Sequence, residues 1–269
     1  MQLYGLKGVK IYTMRKNILT WGMLVMMMAA SHSCTTHYAV SQVSRTRLRI
    51  DKTYDKPLDS QTAEFMKPYN DEVDKLMSPV LGKAAKPLEA YRPESPLANI
   101  MPDVMVWSAK FYDEKPDFGV FNMGGIRASL AQGDITIGEV FDVSPFENHV
   151  CFITLTGEKV LELMGQIAYR GGEGVSKEVR MTITKDNKLL NATINGKEID
   201  PNAKYRIATV DYVSHGNDRM TAFKSGTDRR EIAGDESLTR SLLIEYIKEL
   251  TKKGECLDGN IEGRIIVKE

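Results

Sequence analysis

Apolar residues recur every three to four positions through residues 62–81, as Phe65, Met66, Tyr69, Val73, Leu76, Met77 and Val80. That spacing predicts an amphipathic helix, closed by Gly82 at a C-cap position. Leu97, Ile100, Met101, Val104 and Met105 repeat the pattern and predict a second helix, with Pro96 in its first turn. The period then changes. Residues 118–121 (FGVF) and 150–155 are short apolar runs that read as buried strands. Thr156, an N-cap type, opens a helix carrying Val160, Leu161, Leu163, Met164 and Ile167. Gly171, Gly172 and Gly174 read as a flexible loop. Residues 179–184 alternate as a strand. Residues 188–194 and 197–199 flank Asn195-Gly196, the signature of a hairpin with a type I′ turn. A strand over 205–210 leads into Asp211-Tyr212-Val213, a helix over 236–250 carries Leu238, Leu242, Tyr246 and Leu250, and 264–267 closes as a strand. Helices first, then strands and helices mixed, with a hairpin, predict an α+β fold: a single domain over 58–269 with a mixed β-sheet and flanking helices.

The N-terminal 34 residues have a different character. Residues 18–30 are mostly apolar and follow Arg15 and Lys16, the layout of a secretory signal and too short to span a bilayer comfortably. Small residues precede Cys34, which predicts a bacterial lipoprotein signal with lipidation at Cys34; Ser31 stands where such signals usually carry Leu. Met14, directly before the basic pair, is an alternative start to Met1, and an uncleaved anchor helix is the alternative to cleavage. Both readings export the bulk of the chain, the first as a periplasmic or outer-membrane lipoprotein. Residues 35–57 read as a polar linker with one strand over 47–51, the arginines Arg45, Arg47 and Arg49 forming a solvated face.

Composition narrows the functions. Lys plus Arg and Asp plus Glu balance at 36 each in 269 residues, so net charge gives no argument for a nucleic acid polymer or an anionic surface, and none is expected as a partner. Cys151 and Cys256, the cysteines beyond Cys34, could pair or stay free. The histidines are His32, His37, His149 and His215, and no spacing among Cys, His and carboxylates matches a metal site. Ser144 and Ser214 lack the Gly-x-Ser-x-Gly setting of a hydrolase nucleophile. No catalytic residue is therefore assigned.

The stretch 117–149 carries the chemistry. After the FGVF run comes Asn122-Met-Gly-Gly-Ile-Arg127. Gly124 and Gly125 permit close approach to the main chain, Asn122 supplies an amide, and Arg127 supplies a planar fork of donors. Pro145-Phe146 follows as an exposed aromatic. Amide, guanidinium, bare backbone and ring suit a base, a ribose and a phosphate.

NMGGIR, then ITIGEVFDVSPFENHVCFITLTGEKVLELM, then VDYVSHGNDRM occur in the order and spacing of the C-terminal domain of the 5′-nucleotidase / UDP-sugar hydrolase family, which the chain resembles over about 58–268. The resemblance implies a nucleotide pocket built from Asn122, Gly124, Gly125, Arg127, Phe146, Tyr212 and Asp218. Phe146 and Tyr212 would sandwich the base, and Asp218 would accept from the ribose diol. Tyr212 stands where the family usually has Phe. In the segment SHGND, Asn217 replaces the second glycine of the family's Gly-Gly-Asp; asparagine tolerates left-handed backbone, which would preserve the turn. Arg92 precedes Glu94 by less than the family's substrate arginine does, and reads as that arginine or as a surface residue in a Pro-flanked turn.

The resemblance further implies that the chain is the substrate-binding half of a two-part phosphoesterase. It needs no cofactor of its own, and divalent metals would be held by a separate metallophosphoesterase-domain partner. The alternatives are a non-catalytic nucleotide- or nucleoside-binding lipoprotein, and a structural relic that uses the fold for protein contacts.

Overall fold

The computed structural model describes residues 18, 21–23, 40, 42–48 and 59–268. Met1–Leu58 and Asp59–Glu269 form separate units. In the first, residues 18 and 21–23 are helical and 42–48 carry neither helix nor strand. Cys34 and most of the targeting segment lie outside the described residues, as does most of the strand expected over 47–51.

The second unit runs α1 (Ser60–Met77), β1 (Val80–Ala84), α2 (Pro96–Ser108), β2 (Phe118–Phe121), β3 (Gly133–Thr136), α3 (Ile137–Val143), β4 (Val150–Thr156), α4 (Gly157–Tyr169), β5 (Gly174–Val175), β6 (Val179–Thr184), β7 (Leu189–Ile194), β8 (Lys197–Glu198), β9 (Lys204–Val210), α5 (Asp211–Ser214), β10 (Thr227–Glu231), α6 (Thr239–Lys252) and β11 (Ile265–Lys268). The α+β class stands. The strands form three sheets rather than one: a β1–β3 pair, a central five-stranded sheet in the order β10-β4-β9-β2-β5, and a four-stranded sheet in the order β11-β6-β7-β8. Both larger sheets are mixed. β2 runs parallel to β9, β4 antiparallel to β9, and β5 antiparallel to β2. β11 runs parallel to β6. Because β2 is buried on both faces, its four residues are a continuous apolar run rather than an alternating one. The Asn195-Gly196 turn joins β7 to β8 with φ of 52° and 74°, the two left-handed residues a type I′ turn requires.

Local pattern misread several boundaries. The first helix stops at Met77, and Gly82 is no cap but sits in β1. A Cβ there would lie 2.8 Å from Ile247 Cγ2, so the glycine lets α6 pack against the strand. None of the α1 residues is buried, and Phe65, Tyr69, Val73 and Leu76 stay exposed. Thr156 does occupy the N-cap of α4, yet its side chain makes no capping hydrogen bond. The last helix starts at Thr239, later than the pattern suggested, after a 3-10 turn at Asp235–Ser237.

Cys151 and Cys256 are both free. Cys151 is locked inside β4 between Thr209 of β9 and Glu231 of β10, so no disulfide can form without dismantling the central sheet. Burial pushes its thiol up to about 11, which leaves it a poor nucleophile at neutral pH.

Candidate functional site

Sheet topology decides where the site lies. Since β2 and β9 are parallel neighbours, the segments after Phe121 and after Val210 emerge at one edge. Val150 pairs with Val210, so the antiparallel β4 starts at that same edge and the residues before it arrive there too. Three segments far apart in sequence are thus delivered to one place: 122–127, 145–149 and 211–218.

Asn122, Gly124, Arg127, Phe146, Asn148, Tyr212 and Asp218 line a cavity of about 340 Å³ at this edge. Six of the seven residues predicted from sequence are among them. Gly125 is the exception: it is buried beneath the turn, and a Cβ there would come 2.8 Å from the Phe121 ring. Its requirement is steric, for neither Gly124 nor Gly125 adopts positive φ. Asn148 was missed, although it lies two residues beyond Phe146 in the segment already singled out.

The rings are presented to solvent on restrained backbone. Phe146 is 44% exposed and Tyr212 41%. The start of α6 holds the Phe146 loop. Arg240 donates to the Phe146 carbonyl at 3.1 Å, the Thr239 N–H to the Asn148 carbonyl at 2.9 Å, and Ser144 and Thr239 hydroxyls meet at 2.6 Å. The Arg127 guanidinium lies 5.9 Å from the Phe146 ring centre, within cation–π range. On the other side, the Asp211 N–H bonds the His149 carbonyl at 2.9 Å and Asn217 Nδ2 donates to the Tyr212 carbonyl at 2.8 Å.

Asp218 is tied to the first segment, since Asn122 Nδ2 donates to its Oδ2 at 2.6 Å. Asn122 is itself buried, and its Oδ1 has no partner among the described residues. The left-handed residues of this loop are Gly216, Asp218 and Arg219, with φ of 82°, 52° and 62°. Asn217 is not among them, so it preserves the loop through its hydrogen bond to Tyr212 rather than through an unusual φ.

Arg92 turns away from the cavity role. Its Nη2 meets the buried Glu173 Oε1 at 2.6 Å and its Nε donates to the Gly172 carbonyl at 2.8 Å. The histidines among the described residues are also committed: His149 Nδ1 lies 2.7 Å from Ser237 Oγ, and His215 Nε2 lies 2.8 Å from Glu231. Among the described residues, no group of three or more His, Cys, Asp or Glu side chains is placed to hold a metal ion. The polar groups at the cavity, the Asn122 and Asn148 amides, the Tyr212 hydroxyl, the Asp218 carboxylate and the Arg127 guanidinium, fit hydrogen bonding to an organic ligand; a single carboxylate beside a cation does not fit a divalent metal, which needs several converging oxygen or nitrogen ligands.

Comparison with known proteins identifies the family and the fold. The family described as "5′-nucleotidase, C-terminal domain" matches residues 80–225. A 5′-nucleotidase of Vibrio cholerae serotype O1 is 28% identical over 181 residues, which cover 66% of this chain and 32% of that protein. A trifunctional nucleotide phosphoesterase, YfkN of Bacillus subtilis, is 31% identical over 64% of this chain and 12% of its own length. The structure of a 5′-nucleotidase precursor from Thermus thermophilus superposes with a TM-score of 0.66 and 25% identity, covering 78% of this chain and 44% of that one. This chain therefore spans about a third of the Vibrio protein and less of the Bacillus one.

Proposed function

The chain belongs to the 5′-nucleotidase C-terminal domain family, and from that premise we propose that it is the nucleotide-binding half of a split 5′-nucleotidase / UDP-sugar hydrolase-type phosphoesterase. It holds base and ribose while a separate metallophosphoesterase chain supplies divalent metals. The observation that carries this reading is the convergence of the Phe146 and Tyr212 rings, Asn122, Arg127 and Asp218 on one cavity of about 340 Å³, a size suited to a small organic ligand. Stacking between two rings tolerates any base, because every base has a π-face. Asp218 accepts from the ribose hydroxyls, and Arg127, at the exposed side, faces the phosphate. None of these groups is an activated nucleophile, and attack on a phosphoryl group at neutral pH needs a hydroxide generated at a metal or by a base. This chain contributes orientation.

Turnover of AMP and of a UDP-sugar by the chain alone, by a metallophosphoesterase-domain partner alone, and by both together tests the proposal. Activity is expected in the mixture above that of the partner, and none from the chain alone with or without added divalent metal. Metal-dependent turnover by the pure chain would overturn the split arrangement. A partner unaffected by this chain would leave the non-catalytic binding lipoprotein as the better reading.

The same proposal places the domain outside the cytoplasm, tethered to a membrane by a lipid on Cys34. Labelled palmitate is expected to enter the wild type and not Cys34→Ser. A wild type carrying no lipid by mass spectrometry contradicts the tether.

A further inference from the structure

We propose that Glu173 is a positioning residue of the pocket, fixing the Asn122–Asp218 pair from beneath. The local sequence explains how a carboxylate comes to be there. Gly171 and Gly172 are not a flexible loop but the end of α4. With φ of 77° and 111°, they bring the Gly171 N–H to the Ala168 carbonyl at 2.8 Å and the Gly172 N–H to the Ile167 carbonyl at 3.0 Å. This is a Schellman cap. It turns the chain sharply into β5, whose Gly174 pairs with Phe121 at the end of β2. Glu173 is thereby delivered under the turn that follows β2, with 1% of its surface exposed.

A carboxylate so buried must be fully partnered, and it is. Oε2 accepts the Met123 N–H at 2.5 Å; Oε1 accepts from Arg92 Nη2 at 2.6 Å and from Arg170 Nε. Burial works against the Arg170 cation, but the hydrogen bond and charge of Glu173 outweigh it and hold the guanidinium above its ordinary range. Two cations satisfy one oxygen, which leaves the other to grip a single peptide N–H. That N–H belongs to the residue after Asn122, whose side chain donates to Asp218 at 2.6 Å. Glu173 is thus two bonds of the network away from Asp218 and touches no part of the cavity surface. The role rests on the reading of this cavity as a nucleoside site with Asp218 on the ribose diol.

The test uses the full chain and Glu173→Gln, titrated with adenosine and with 2′,3′-dideoxyadenosine. Asp218 can discriminate between these two ligands, whereas the rings cannot. Wild type is expected to prefer adenosine. The variant is expected to lose about tenfold of that preference, the scale of one charge-assisted hydrogen bond, with dideoxyadenosine affinity unchanged. Equal weakening of both ligands, or an undiminished preference, overturns the positioning role. A wild type that binds neither nucleoside defeats the site reading instead. In that case amide spectra of the free protein decide: the Met123 backbone N–H and the Asn122 side-chain NH₂ are expected to shift in the variant, and their staying in place overturns the proposal. Should Glu173→Gln fail to fold, Arg92→Gln at the more exposed end of the network is expected to move the same two resonances by a smaller step, and no movement there has the same adverse meaning.

Discussion

Replacing both Phe146 and Tyr212 by alanine is expected to abolish measurable nucleoside binding while leaving the domain folded. Each stacked ring contributes about 1–3 kcal/mol, roughly 5- to 150-fold in Kd. Phe146→Ala alone should therefore weaken binding within that range, and the double variant should lose close to the product of the two factors if base and rings form one sandwich. The fold should tolerate both changes because the rings are exposed and their loops are held through backbone atoms. Arg240 and Thr239 grip the Phe146 loop by carbonyls, and Asn217 grips the Tyr212 carbonyl. Tyr212→Phe keeps the ring face and should bind nearly as wild type. Calorimetry with AMP and adenosine measures all three. Unchanged affinity in the double variant would remove the clamp altogether.

Arg264→Met is expected to destabilise the domain by about 3 kcal/mol, the lower end for breaking a buried ion pair from one side, because the Asp103 left behind is partly exposed. Arg264 is 2% exposed and joins elements that share no sheet. Its guanidinium donates to both Asp103 oxygens at 2.9 and 2.7 Å, to the Val175 carbonyl at 2.9 Å and to the Asn99 carbonyl at 3.2 Å. Its own N–H is taken by the buried Glu94 at 2.9 Å. One side chain thus ties the start of β11 to α2 and β5. Methionine fills the volume but takes the guanidinium from Asp103, which keeps only the Lys177 N–H on Oδ1, and removes a donor from the Val175 and Asn99 carbonyls. Against a typical total of about 5–15 kcal/mol, that loss should lower the melting temperature by on the order of 10 °C. Urea denaturation gives the free energy directly. A loss under about 1 kcal/mol would mean that water or neighbouring groups replace the guanidinium without difficulty.

The site was more legible in the sequence than the sheets that carry it. Asn122, Arg127, Phe146, Tyr212 and Asp218 stand in short strings whose residue types are unusual together, and the resemblance ordered those strings. Pairing between distant strands leaves no such mark. β1 pairs with β3 through Val80 and Thr136, and Val80 happens to continue the helical spacing of α1, so the pattern ran past the true end. β10 reads TDRRE, exposed at every position; an edge strand without an apolar face has no period to detect. α3 was overlooked for its shortness, although Thr136 and Glu139 form a reciprocal capping box that the spacing Thr-x-x-Glu advertises. In α1 the period was right, yet the stripe it defines lies bare, because periodicity reports a helix and not what covers it. Glu173 was hidden for a related reason. A charged residue after two glycines looks like surface loop until the cap geometry folds it inward.

The pocket residues sit on turns that leave the central sheet, while the strands beneath them are buried and apolar. Scaffold and recognition are therefore written in different stretches of the chain, and the two can drift independently. Tyr212 in place of the family's usual Phe, and Asn217 in place of a glycine, are changes of this kind: they alter what the rim presents and ask nothing of β2, β4 or β9. A lineage carrying this fold can change what the cavity presents by editing a few rim positions, with the melting temperature scarcely registering the change.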